Sequence, residues 1–255
     1  MEICALSSGS SGNCFYISSG ETEILVDAGI SCKQIDKRLA LIGKDINDIQ
    51  AAFITHEHTD HIRGIDTLSK RHKVPIYLTK GTQEASFFTT PSLRTIKPEK
   101  TITIGDMEIL PFSKSHDAKE PVSYLVSCKN KKVGIMTDIG YACNNVIDHI
   151  QDCSSLILES NHDLNMLKNG RYPIFLKRRI TSDKGHLSNY DAALLILEHA
   201  KPEIKNIILS HLSINNNTPE IAFNTFNSII KERKDLKKLN ISISNREKPT
   251  DLYLT

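Results

Sequence analysis

The segment from Thr55 to His61, Thr-His-Glu-His-Thr-Asp-His, concentrates side chains that bind metal ions: three imidazoles and the carboxylate of Asp60 lie within six residues. Imidazole and carboxylate ligands suit zinc, iron and manganese. Because His56 and His58 lie two positions apart on an extended turn, they can point toward one metal. Asp60 and His61 lie further along and can face a second. The segment therefore predicts a two-metal hydrolytic site.

Residues of the same types directly follow three later apolar runs. They are His116, Asp138 and His211, each at the end of a predicted strand, where loops commonly carry chemistry. Asp27 repeats the arrangement after the apolar run 24–26. Without a neighbouring histidine, Asp27 is either a ligand or a carboxylate that orients a metal-bound imidazole. A surface turn that is rich in histidine by chance, the competing interpretation, would not be accompanied by these repeats.

Hydrophobic patterning predicts the elements that must position these residues. A short buried strand over 51–54 leads into the histidine-rich segment, and hairpins are predicted over 101–109 and 122–137. Strands dominate both halves of the chain, with helices interspersed. The predicted helices cover 33–42, 83–88, 145–151, 190–199 and 219–233.

Length and composition indicate one globular domain over 1–255. Apolar residues make up 39% and charged residues 24% of the chain, with no low-complexity linker and no clear internal repeat. No apolar stretch approaches the ~20 residues that span a bilayer, and the N-terminus does not resemble a secretory leader. The six cysteines show no Cys-x-x-Cys spacing and are interpreted as reduced packing thiols. These observations predict a cytoplasmic protein without a membrane partner.

The order Asp, His-x-His-x-Asp-His, His, Asp, His resembles the metallo-β-lactamase-fold superfamily along nearly the whole chain. The resemblance implies an α+β fold, a four-layer αββα sandwich with two metals in a cleft along one edge of its sheets. It also implies the ligand sets: His56, His58 and His116 for one metal, Asp60, His61 and His211 for the other, and Asp138 with a bridging hydroxide for both. Asp60 is accordingly counted among the catalytic residues as well.

Segments outside the ligand set bear on the substrate. The small-residue turn over 6–14 leaves backbone N–H groups and hydroxyls free to meet an anion, unless it is simply a flexible hairpin. Its candidate substrate-binding residues are Ser8, Ser10, Ser11 and Asn13. The segment 168–186 is basic although the net charge of the whole chain is only +2. Its candidates for binding a phosphate backbone are Arg178, Arg179 and Lys184, with a solvated helix face as the alternative.

Two further histidines are candidates for proton transfer. His186 opens a predicted helix after the basic segment, and His162 follows the predicted strand 155–158. Each could protonate a leaving alkoxide or bind a phosphoryl oxygen.

Together these segments resemble the WalJ/YycJ (VicX) branch of the superfamily, which is similar to ribonuclease Z and the β-CASP nucleases. The resemblance implies a metal-dependent phosphodiester hydrolase that acts on nucleic acid, a 5′-to-3′ DNA exonuclease with a role in repair. Its cofactors would be two divalent metal ions, zinc by default, with manganese and iron also compatible with these ligands. Two alternatives stay open: a hydrolase of small phosphodiesters, lactones or thioesters, which would not need the basic segment, and a non-catalytic metal-bearing regulatory module, which would not need an intact ligand set. The sequence does not indicate an oligomeric state.

Overall fold

Two seven-stranded sheets form the centre of the computed structural model, which describes residues 1–255. The strands of the first sheet are Glu2–Ser7 (β1), Cys14–Ser18 (β2), Glu23–Val26 (β3), Ala51–Phe53 (β4), Ile76–Thr79 (β5), Leu93–Ile96 (β6) and, near the C-terminus, Tyr253–Leu254 (β14). Those of the second are Ile102–Ile104 (β7), Met107–Ser113 (β8), Val122–Cys128 (β9), Lys131–Met136 (β10), Ser155–Glu159 (β11), Asn206–Ser210 (β12) and Asn240–Ile243 (β13). Both predicted hairpins are confirmed, as β7–β8 and β9–β10.

The two sheets repeat one topology. The first has the order β14-β1-β2-β3-β4-β5-β6 and the second the order β13-β12-β11-β10-β9-β8-β7. Counted from β14 in the first sheet and from β7 in the second, three antiparallel pairings are followed by three parallel ones. The sequence shows no clear internal repeat, but the structure shows two similar halves, because many different apolar sequences satisfy the same strand pairing.

Nine α-helices accompany the two sheets. They are Cys32–Leu41 (α1), Thr59–Ile62 (α2), Ile65–His72 (α3), Lys80–Glu84 (α4), Asn144–Ile150 (α5), Leu164–Asn169 (α6), Ile174–Ile180 (α7), Asn189–His199 (α8) and Pro219–Ile230 (α9). The predicted helix 83–88 was wrong in its position. Thr79 caps α4, its hydroxyl accepting from the Thr82 amide, and the helix ends at Glu84. None of the helices combines the length and the apolar character that crossing a membrane requires.

Three apolar clusters separate these layers. One lies between the two sheets, one between the first sheet and α1 and α3, and one between the second sheet and α5, α8 and α9. Tyr124 joins the sheets next to the histidine-rich segment: its ring packs edge-on against Phe53, and its hydroxyl donates to the Ile54 carbonyl at 2.7 Å. The predicted four-layer αββα sandwich is confirmed.

Candidate metal centre

The predicted metal ligands converge at one edge of the two sheets. His56, His58, Asp60 and His61 follow β4, whereas the ligands of the second sheet follow β8, β10 and β12. Potential ligand atoms lie within 4.8 Å of one another in the sets His56, His58 and His116; Asp60, His61 and His211; and His56, His61 and Asp138. The first two sets are those expected for the two metals, and Asp138 lies between them. That these residues bind metal remains a prediction.

Unpaired polar atoms at this edge fit a metal centre. Nε2 of His116, Nε2 of His211 and Oδ2 of Asp138 are buried and have no hydrogen-bond partner. Oδ2 of Asp138 lies 3.2 Å from Nε2 of His61, but that contact does not have hydrogen-bond geometry. A buried polar atom without a partner is costly. Two imidazole nitrogens and a carboxylate oxygen left unpaired in one place are the donors that divalent metals take.

Each of three predicted imidazole ligands has a partner on its other nitrogen. His61 donates from Nδ1 to Asp27 at 2.7 Å, and His116 donates from Nδ1 to the Gly185 carbonyl at 3.2 Å. His211 donates from Nδ1 to Glu159 at 2.9 Å. Such partners hold the ring and its tautomer so that Nε2 faces the predicted metal position, and Nε2 of His116 and His211 has no other partner. Asp27, which the sequence left as either a ligand or an orienting group, is therefore placed as an orienting group.

Glu159 was not among the predicted site residues. It ends β11 and is fully buried, and its Oε1 accepts from Nδ1 of both His186, at 2.8 Å, and His211. Its Oε2 accepts from the amides of Ile139 and Leu187 at 2.7 and 3.2 Å. The signal for it in the sequence was a carboxylate directly after an apolar run, the same pattern that drew attention to Asp27 and Asp138.

The backbone at these strand ends is held in an unusual conformation. Asp27, Asp138 and His211 have φ values of 61°, 55° and 58°, in the left-handed region that non-glycine residues rarely adopt. Gly29 packs so close to the Asp60 carbonyl that an added Cβ would lie 1.6 Å from its oxygen. Only glycine allows the loop after β3 to pass against α2 there.

Burial and neighbouring charge shift the pKa values of the ligands in opposite directions. Burial lowers the pKa of His116 to about 4 and that of His56 well below its usual range. Burial also disfavours protonated His61, but the charges of Asp27 and Asp138 outweigh it and raise the His61 pKa to about 10. Without metal, protons on His61 neutralise the carboxylates, so a cation that binds here must displace protons.

The turn between β1 and β2 supports the centre instead of offering free groups. Ser8 and Asn13, predicted to bind substrate, are buried. The Ser8 hydroxyl donates to the Asn13 side chain and accepts from the His211 amide, and Asn13 lies 3.1 Å from Nε2 of His61. The amides of Ser8, Gly9, Gly12 and Asn13 already donate to other groups. The expectation of free N–H groups was therefore wrong for these positions; Ser10 and Ser11 are exposed, and Ser10 lines the cleft.

A cleft opens over this edge between the β1–β2 turn and α7. Its lining includes Ser10, Asp117, Arg179, His186 and His211. His186 is partly exposed, with Nδ1 on Glu159 and 3.7 Å from Oδ1 of Asp138. Arg179 donates from Nε to the Asp117 carboxylate at 2.6 Å. The cleft therefore places a guanidinium and an imidazole beside the predicted metal ligands.

The other predicted site residues lie outside this lining. Arg178 is exposed on α7, and Lys184 borders a separate depression that includes His116. Lys177 donates to the Lys168 carbonyl at 2.7 Å and so ties α7 to α6. His162 is buried and belongs to none of the ligand sets. The catalytic role of His162 stays a prediction.

The chain is similar to known proteins in sequence and in fold. The family profile described as "Beta-lactamase superfamily domain" matches residues 22–212. Exodeoxyribonuclease YycJ of Bacillus anthracis is 37% identical over 240 residues, which cover 91% of this chain and 90% of the relative. Exodeoxyribonuclease WalJ of Streptococcus pneumoniae is 37% identical over 227 residues, or 86% of this chain and 84% of the relative. The metallo-beta-lactamase fold protein YhfI from Bacillus subtilis superposes with a TM-score of 0.74 over 98% of both chains; at 16% identity this likeness shows the fold alone.

Proposed function

The chain belongs to the beta-lactamase superfamily, and from that membership we propose that it is a metal-dependent exodeoxyribonuclease that digests DNA from the 5′ end toward the 3′ end. Two relatives of similar length are named exodeoxyribonucleases. The observation that carries the proposal is the convergence of unpaired metal-type donors at one edge of the sheets, beside a cleft that is lined by Arg179, His186 and His211. A small-ester hydrolase would need the donors but not a basic rim.

The proposed cofactors are two divalent ions per chain, zinc by default, with manganese and iron compatible with ligands that include no thiolate. His56, His58 and His116 would hold one, Asp60, His61 and His211 the other, and Asp138 both. When bound, such ions supply a nucleophile at neutral pH and stabilise negative charge on the phosphate.

His186 is assigned the role of proton donor to the leaving 3′-oxygen. Its Nδ1 is held by the Glu159 carboxylate, so Nε2 is the nitrogen available to the cleft. A buried carboxylate behind the ring fixes its orientation and its tautomer, as in other acid–base pairs built from histidine and a carboxylate. Arg179 lies in the same cleft and is placed to bind a phosphate of the scissile strand.

The test is digestion of end-labelled DNA. Purified protein with zinc, manganese or iron is incubated with single- and double-stranded DNA and RNA labelled at either the 5′ or the 3′ end. The proposal expects mononucleotides to appear first from the 5′ end of DNA, no activity with a chelator, and none in Asp138→Ala. Rapid hydrolysis of a thioester or lactone with no release of nucleotides would favour the small-ester alternative.

We further propose that the protein acts in the cytoplasm, in the repair of DNA ends. A cell that lacks the gene should then be more sensitive to DNA-damaging agents, and expression of the Asp138→Ala protein should not restore resistance. Equal survival of the deletion strain and its parent would remove the repair role without touching the nuclease activity.

A further inference from the structure

Two large apolar side chains are exposed on α7, beside the candidate metal centre. Ile174 is 68% exposed and Phe175 is 74% exposed. The same short helix carries Arg178 and Arg179, and Arg179 lines the cleft. Exposed apolar side chains that adjoin a site commonly mark a binding surface.

Helical spacing places the aromatic ring next to the cleft. Residues three and four apart are neighbours on a helix surface, so Phe175 is adjacent to both Arg178 and Arg179. One turn advances 5.4 Å along the axis. Phe175 therefore lies one turn away from Arg179, which lines the cleft.

The charges around this surface favour a polyanion as its occupant. The segment 168–186, which contains α7, carries one acidic side chain, Asp183, and six cationic ones: Lys168, Arg171, Lys177, Arg178, Arg179 and Lys184. Arg179 is paired with Asp117, whereas Arg178 is exposed and has no ion-pair partner. An exposed aromatic ring beside a free guanidinium group in a basic segment is the combination that binds single-stranded nucleic acid, since every base offers a face for stacking while the cations follow the backbone.

We propose that Ile174 and Phe175 form a base-stacking platform, on which an unpaired base of the DNA strand packs as the strand passes Arg178 and Arg179 into the cleft. The proposal rests on the proposed nuclease function and adds to it: the enzyme would require an unpaired base at the cleft rim, and duplex DNA would have to open there. Specificity for sequence is not expected, because stacking is tolerant of base identity.

The experiment compares a normal with an abasic oligonucleotide. Fluorescein-labelled phosphorothioate strands, which resist hydrolysis, are made either as oligo-dT or with abasic sugars at every position, at equal length and charge, and binding is followed by anisotropy. Phe175→Ala should bind oligo-dT about 5- to 150-fold more weakly, the fold-change that corresponds to ~1–3 kcal/mol of stacking per base. The same variant should bind the abasic strand as the unaltered protein does. Arg178→Ala should weaken binding of both strands.

Two more variants separate stacking from a general apolar contact. Phe175→Tyr should restore binding of oligo-dT and Phe175→Leu should not. Leu254→Ala is the control, because Leu254 is a similarly exposed apolar side chain (72%) far from the cleft. It pairs with Glu2 at the start of β1, roughly 17 Å along that strand from the β1–β2 turn.

The proposal is overturned if Phe175→Ala binds oligo-dT normally, if it loses affinity equally for the abasic strand, or if Phe175→Leu is equivalent to the unaltered protein. It is also overturned if Phe175→Ala abolishes dimerisation of the protein or its binding to anionic vesicles but leaves the affinity for DNA unchanged. If all these variants bind DNA with normal affinity and digest it, the stacking proposal is refuted and the proposed nuclease function is retained. Absence of DNA binding and cleavage in the unaltered protein would remove both.

Discussion

Replacing Glu159 by Gln tests whether one buried carboxylate supports both the predicted second metal site and the predicted acid. Its two oxygens accept from four donors: His186 and His211 on one, and the Ile139 and Leu187 amides on the other. A glutamine has the same shape but only one oxygen, so an NH₂ group must face one of these pairs. Loss of an outer partner of a metal-bound histidine typically weakens metal binding 10–100-fold, or about 1.4–2.8 kcal/mol.

Competition with a chromogenic chelator would measure the two stepwise zinc affinities. We expect one dissociation constant to rise 10–100-fold and the other, governed by His56, His58 and His116, to stay constant. Glu120→Gln is the matched control, because the Glu120 carboxylate accepts from the Gly81 amide at 2.7 Å but contacts no histidine. Two unchanged constants would refute the orienting role, and complete loss of one ion would make Glu159 a ligand itself.

The same substitution has a pH signature in the metal-free protein. Burial alone would raise the Glu159 pKa, but the His186 charge and the hydrogen bonds lower it from 4.5 to about 2. Because the folded-state pKa is depressed, the stability that the carboxylate contributes is present above pH 4.5 and is lost as the pH falls through about 2. The contribution is on the order of 3 kcal/mol. The difference in free energy of unfolding between the unaltered protein and Glu159→Gln should therefore narrow over that range; a gap that does not change with pH would contradict the charge-based account.

Four further outcomes follow from the site. Elemental analysis should find about two metals per chain, and Asp138→Ala should lower both occupancies; full occupancy with retained activity would refute the bridging role. His186→Ala should keep its metals but lose nuclease turnover by ~10²–10⁴-fold, whereas metal loss would make His186 a ligand. The logarithm of the DNA affinity should fall with the logarithm of the salt concentration, with a slope of roughly −0.7 per phosphate contact, and neutralising Arg178 and Arg179 should make that slope shallower by about one to two units. Hydrolysis of a small chromogenic phosphodiester should stay unchanged in this variant. An unaltered slope would show that these arginines do not contact DNA and that α7 is a solvated surface. Since the His61 pKa is raised to about 10, metal affinity measured by chelator competition should rise with pH between 6 and 8, and a flat profile would show that no proton is displaced.

The fold was largely predictable because its patterns are local. Apolar runs that end in a ligand-type residue marked the strands β4, β10 and β12, and the His-x-His-x-Asp-His element marked the superfamily. The short helices α2, α3, α6 and α7 were not predicted as helices. Helix α3 packs Ile65 and Leu68 against the first sheet, so its apolar face was present in the sequence and was overlooked. Helices α2, α6 and α7 have only four, six and seven residues, too few to show a clear helical period.

The supporting groups of the site were harder to predict than its ligands. A ligand can be proposed from its type and its place after a strand, but a partner such as Gly185 is defined only by a backbone carbonyl, which every residue has. The β1–β2 turn shows the same limit. Its serines and glycines suited an anion site, whereas the Ser8 and Asn13 amides donate to the Asn245 and Asp60 carbonyls, and the Gly9 and Gly12 amides donate within the turn.

Glu159 shows why this part of the site needs the structure. Its Oε1 is shared by His186, proposed as the acid, and His211, proposed as a ligand, which lie 25 residues apart in the sequence. The parallel pairing of β11 and β12 brings Glu159 beside His211, whereas His186 comes from the loop before α8. A shared acceptor couples the two imidazoles electrostatically: a proton or a cation on one ring draws on the same negative charge that supports the other. Substitutions at His186 and His211 are therefore not independent, and their effects on activity should not add. The proposed chemistry therefore depends on the pairing of β11 with β12, which brings Glu159 and His211 together, as well as on the residue types.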